Sequence, residues 1–115
     1  VSADERQACQ DLFGDGVCEQ DEGGLRLIVL PMVNLPAGCT PHQSMGIYVA
    51  SPFAGYESRL FLEAPIRLRS GVVPQTTTQV LCGRTMYAAS IQGVSANLPV
   101  HQAVLAHLAR YEEAA

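Results

Sequence analysis

Between Tyr56 and Arg69 the chain reads Y-E-S-R-L-F-L-E-A-P-I-R-L-R, and from Arg59 onward it alternates. Leu60, Leu62, Ala64, Ile66 and Leu68 fall on one side, and Arg59, Phe61, Glu63, Pro65, Arg67 and Arg69 on the other. Strand side chains project to opposite faces with period two, so this spacing predicts a half-buried strand with an aliphatic inner face. The rest of the chain must then supply neighbouring strands and a layer that covers that face. Pro65 cannot donate a ladder hydrogen bond, so pairing is expected to stop there or to lie at a sheet edge. The outer face sets arginines around Phe61, which marks Arg59, Phe61, Arg67 and Arg69 as candidate partner-binding residues.

The net charge of −4 conceals a division. Asp4, Glu5, Asp11, Asp15, Glu19, Asp21 and Glu22 crowd the first 22 residues against Arg6 alone, whereas residues 23–111 carry six arginines against Glu57 and Glu63. An acidic partner for the arginine face is expected, either another protein or this acidic N-terminal segment. A pI near 5.2, with no basic run interleaved with aromatics, argues against nucleic acid. The apolar run Leu27–Val33 is too short to span a bilayer, which argues against a membrane protein, and no leader or lipidation pattern is legible. With 115 residues, 48% of them hydrophobic, the reading is a single globular domain.

Taken in order, Ser2-Ala3-Asp4-Glu5 has the form of a capping box, with Glu5 reaching back to Ser2, and predicts a helix to Phe13 stopped by Gly14. Asp15–Gly24 reads as a polar loop. Strands are expected at Leu25–Val33 and Met45–Ala50, separated by the turn Asn34-Leu35-Pro36-Ala37-Gly38. Ser51-Pro52-Phe53-Ala54-Gly55 turns into the third strand, and Thr76–Ile91 is a fourth extended region broken at Gly83. A last helix takes Pro99 into its first turn, with Val100, Val104, Leu108 and Tyr111 on one face and Leu105 beside them. The expected architecture is α+β: an N-terminal helix, a four-stranded antiparallel meander and a C-terminal helix.

Several segments resemble the ubiquitin-conjugating-enzyme (UBC) fold, in particular its divergent bacterial members found beside ubiquitin-like proteins and ThiF-type adenylating enzymes. They are Leu35-Pro36-Ala37-Gly38-Cys39, Gly55-Tyr56 with Arg59-Leu60-Phe61-Leu62 and Pro65, Gly83-Arg84-Thr85-Met86-Tyr87 with Ser90, and His107-Leu108. The resemblance covers Leu25 to Arg110. It implies a cytoplasmic component of a ubiquitin-like conjugation pathway, partnered by a ubiquitin-like protein and a ThiF-type adenylating enzyme, with no cofactor. A catalytically silent UBC-like binding module for the same partners is the alternative, and a secreted domain with two disulfides is a more remote one.

By that resemblance Cys82 maps to the nucleophile. Val73-Pro74-Gln75 stands where the family carries His-Pro-Asn, so Gln75 maps to the oxyanion donor; Val73 replaces the His, and no tryptophan follows Cys82. Transthiolation needs an exposed thiol with a depressed pKa, which Arg84 would supply. The competing reading is a core thiol, because Val80 and Cys82 share one face of a strand. Ser90 is an alternative acyl acceptor, with His101 and His107 on the last helix as the histidines that would have to approach it. Cys39-Thr40-Pro41-His42 has half of a zinc spacing, but no second close pair completes it, so no metal is expected. Cys9, Cys18, Cys39 and Cys82 are read as free thiols, with Cys9–Cys18 the first pair to test.

Overall fold

Ser2 starts the first helix through its side chain: Oγ accepts the Glu5 N–H at 3.1 Å, and α1 runs Ala3–Phe13 until Gly14, at φ 108, ends it. Glu5 does not reach back as a capping box requires. Its Oε2 accepts the Val100 N–H at 3.2 Å instead, so a residue of α1 caps the first turn of α2, Val100–Glu113. The structure, a computed structural model, describes residues 1–50 and 56–113, and the turn expected at Ser51–Gly55 lies outside them.

The strands are β1 Cys18–Glu22, β2 Leu25–Asn34, β3 Gln43–Ala50, β4 Ser58–Leu62, β5 Thr76–Leu81 and β6 Arg84–Ala89. They form one antiparallel sheet in the order β1-β2-β3-β4-β6-β5. The α+β class therefore stands, with six strands in place of the expected four. Cys18–Glu22 pairs with β2 although its sequence is polar, and the fourth region splits into a hairpin. The third strand stops at Leu62 rather than running to Arg69; beyond it a lone bridge joins Arg67 to Thr40. α2 begins one residue after Pro99.

Alternation sends two sets of side chains to opposite faces. Ile28, Leu30, Tyr48, Leu60 and Leu62 join Cys9, Phe13, Val104, Leu108 and Tyr111 beneath the helices, and Ile66 and Leu68 enter the same core. Pro31 has no N–H to give the ladder, and the register between β2 and β3 shifts between Leu30 and Val33, which returns Val33 to the helix side. Gly46 makes that approach feasible, since a Cβ there would meet Val33 Cγ2 at 2.9 Å. Leu105, expected on the packed face of α2, is 45% exposed.

The other face is also covered. Leu25, Leu27, Ile47, Val49 and Phe61 pack with Leu81, Met86 and Ala88 of the β5–β6 hairpin in a second core. β6 holds β4 at a single register pair, Leu62 with Tyr87, and from there the hairpin diverges over the sheet. Its tip reaches the opposite edge, where the Cys82 N–H donates to Glu22 Oε2 at 2.8 Å. The consequence is a correction to the arginine face. Arg59 is 8% and Phe61 1% exposed, because the hairpin lies on them, whereas Arg67 and Arg69 stay exposed.

Two substitutions separate these environments. Leu62→Ala empties a fully buried site and should cost about 2–5 kcal/mol in chemical denaturation. Leu105→Ala should stay within about 0.5 kcal/mol of the parent, because its side chain is half in water already.

Candidate functional site

Cys82 and Gly83 are the two central residues of the β5–β6 turn, with φ of 52 and 74, and Leu81 pairs with Arg84 across them. Positive φ at both positions is the signature of a type I′ hairpin turn, whose twist matches the flanking strands. The thiol is half-buried, with Sγ 3.2 Å from Gln20 Oε1. Its pKa is pushed up, first by burial and then by the neighbouring Glu22 and Cys18, against a weaker opposing pull from Arg84. Arg84 is engaged elsewhere: Nη1 lies 3.2 Å from Glu63 Oε2. The thiol is thus set beside a carboxylate that, together with burial, holds it protonated. The same-face pairing of Val80 with Cys82 does not occur. Val80 points outward at 64% exposure, and Cys82 belongs to the turn.

Gln75 and Ser90 meet each other but not Cys82. The Ser90 N–H donates to the Gln75 carbonyl at 3.0 Å, which places both at the open end of the hairpin. The six residues of β5 lie between Gln75 and Cys82, seven steps of strand rise or about 23 Å. Both Gln75 and Ser90 are exposed. Cys39 is buried in the helix-side core and His42 is exposed, so the C-x-x-H segment is divided between core and solvent. Arg67 Nη1 donates to the Gly71 carbonyl at 3.2 Å, and the side chain of Arg69 packs on Gly38. The N-terminal acids pair instead with Arg6 and Arg26: Glu19 lies 3.9 Å from Arg6 and 3.8 Å from Arg26, and Asp21 lies 3.8 Å from Arg26.

Arg59 lies buried under the hairpin. Nη1 donates to Thr77 Oγ1 at 2.6 Å, and Nη2 donates to the carbonyls of Ala88 at 3.1 Å and Ala89 at 3.0 Å. Its guanidinium carbon lies 4.1 Å from the Tyr56 ring centre and 5.5 Å from that of Phe61. Burial draws its pKa down, and its Nε has no hydrogen-bond partner among the described residues. Aromatic faces and backbone carbonyls do the work that a carboxylate does in an ion pair.

A buried pair escaped the sequence reading. Ser58 sits on the aliphatic face of β4 and is 2% exposed, as is His107 on α2; Ser58 Oγ and His107 Nε2 are 2.9 Å apart. The Ser58 hydroxyl donates to the Val94 carbonyl at 2.8 Å, so its oxygen accepts from a proton on Nε2. In a nucleophilic Ser–His pair the ring nitrogen accepts instead, so this serine is a structural link and not an activated nucleophile. Burial, helped by Arg59 and Arg110, lowers the His107 pKa to about 4. The signal available in the sequence was a polar residue on each of two otherwise apolar faces.

A cleft of about 420 Å³ opens between α1, β2, β3 and the start of α2, lined by Glu5, Arg26, Ile28, Tyr48, Asn97 and Val100 among others. Cys82, Gln75 and Ser90 are not among its lining residues.

His107 sets a pH dependence. Its pKa is about 4 in the folded chain and about 6.5 when unfolded, so protonation favours the unfolded chain. Its contribution is complete above pH 6.5, declines as the pH falls, and has cost about 3 kcal/mol by pH 4. Urea titrations across this range should show that loss in the parent and a flatter profile in His107→Gln, which keeps a donor for Ser58.

No family model matches the chain, and no curated protein or solved structure matches it either.

Proposed function

We propose that this chain is a catalytically silent UBC-like binding module of a bacterial ubiquitin-like conjugation pathway, which holds the ubiquitin-like protein or its ThiF-type adenylating enzyme without accepting an acyl group. The observation that carries the reading is the position of Cys82. It occupies a hairpin turn, hydrogen-bonded to Glu22 and Gln20, at the far end of β5 from Gln75. An oxyanion donor must lie within hydrogen-bonding distance of the reacting centre, and a transthiolating sulfur needs a depressed pKa. Neither condition is met at Cys82, whose pKa is raised. The carrier-enzyme reading through Cys82, with Ser90 as its alternative acceptor, ranks below it for the same reason.

The partner surface assigned to the module is the exposed remainder of the arginine face, Arg67 and Arg69, on the segment that bridges to Thr40. A partner with an acidic patch fits it, and rim arginines of this kind act mainly on association rate and salt dependence. Replacing Arg67 and Arg69 together with Glu should weaken binding of the ubiquitin-like protein or adenylating enzyme at least tenfold by titration calorimetry, with little change in melting temperature. Cys82→Ala should leave that binding intact. An ATP-dependent, thiol-sensitive adduct that disappears in Cys82→Ala would contradict the proposal and restore the carrier-enzyme reading.

A further inference from the structure

The four cysteines are all free, and they divide into two kinds. Cys9 and Cys39 are sealed in the helix-side core, while Cys18 and Cys82 are half-exposed on the other side of the sheet. These last two share a neighbour. Cys82 Sγ lies 3.2 Å from Oε1 of Gln20, and Nε2 of the same amide lies 3.9 Å from Cys18 Sγ. Cys18 and Gln20 are two apart on β1 and project from the same face, the one on which the hairpin tip rests. Gln20 is exposed, so its amide can swing into solvent and vacate the place it holds beside both sulfurs.

A second observation sets Cys82 apart. Among the described residues it is the one non-glycine with positive φ. A Cβ resists that conformation, and Asn or Gly would occupy the same turn with less strain. Strain kept at a single side chain points to a use for that side chain. The Glu22 hydrogen bond to the Cys82 N–H then holds the strained turn against β1, beside the second thiol.

We propose that Cys18 and Cys82 form a reversible intramolecular disulfide under peroxide oxidation, tying the hairpin tip to β1 and locking the second core beneath it. One thiolate attacks a peroxide oxygen; the O–O bond breaks, hydroxide departs and the sulfur becomes a sulfenic acid. The other thiolate attacks that sulfur, forming the S–S bond and expelling a second hydroxide. The two thiol protons end on the two waters formed, the sulfurs lose two electrons between them, and the peroxide gains two. A small thiol reverses the bond by exchange. Burial and Glu22 hold the Cys82 thiol above its ordinary range, so closure should be slow at neutral pH and faster in mild alkali. The proposal is independent of any protein partner.

The test is mass spectrometry on the full chain after treatment with a few equivalents of hydrogen peroxide. Disulfide closure predicts a loss of about 2 Da, two fewer alkylatable thiols on unfolding, and a rise in melting temperature that dithiothreitol reverses. Cys18→Ser and Cys82→Ser should each abolish all three effects. Trypsin leaves Cys9 and Cys18 together on peptide 7–26, so Cys9→Ser is the informative control and should still cross-link peptide 7–26 to peptide 70–84. An unchanged mass, a Cys9–Cys18 bond, a dimer joined between chains, or added oxygen on Cys82 without cross-linking would overturn the proposal.

Discussion

A buried guanidinium with no ion-pairing carboxylate among the described residues governs how this chain closes. Arg59 lies on the face of β4 opposite the helices, where a charge facing only apolar side chains would cost several kcal/mol. Three hydrogen bonds to the hairpin, to Thr77 and to the carbonyls of Ala88 and Ala89, offset that cost, and the rings of Tyr56 and Phe61 stack against the cation. The interaction is directional in a way that hydrophobic contact is not. It fixes where β5 and β6 sit on the sheet, while the β5–β6 register sets which residues form the tip.

That placement decides the chemistry. With the hairpin pinned near its open end by Arg59 and at its tip by Glu22, Gln75 and Ser90 are held at one end and Cys82 at the other. The same folding-over buries Phe61 and reduces the arginine face to Arg67 and Arg69. The length of β5 sets Gln75 and Cys82 apart, and the hairpin's placement accounts for the smaller partner surface. On the helix side, Glu5 capping α2 and the Ser58–His107 link join elements far apart in sequence by polar contacts within or beside an apolar core. Such contacts narrow the packings that hydrophobic burial alone would permit.

Much of this was legible from residues alone. Ser2 and Gly14 bracket α1 because an N-cap hydroxyl and a residue free to take positive φ act locally. Of the inward set read from a period of two, Leu60, Leu62, Ile66 and Leu68 enter the core while Ala64 is only partly buried, and regular pairing ends at Leu62. β1 was not legible, because Cys18–Glu22 has no apolar face and is a strand only by pairing with β2. The hairpin's fold across the sheet was not legible either. It depends on Arg59 meeting carbonyls about thirty residues later, and a sequence pattern reads such an arginine as facing water. Ser58 and His107 each interrupt an apolar stripe, yet nothing local joins residues 49 apart, so their pairing was not legible.

Arg59 holds the hairpin to the sheet, and amide hydrogen exchange on an Arg59→Met variant tests this directly. Met retains much of the length and apolar bulk while removing the donors and the charge. The predicted result is faster exchange confined to Thr76–Ala89, with β2, β3 and both helices as protected as in the parent. Parental protection throughout the hairpin, or uniform loss across all elements, would contradict the claim.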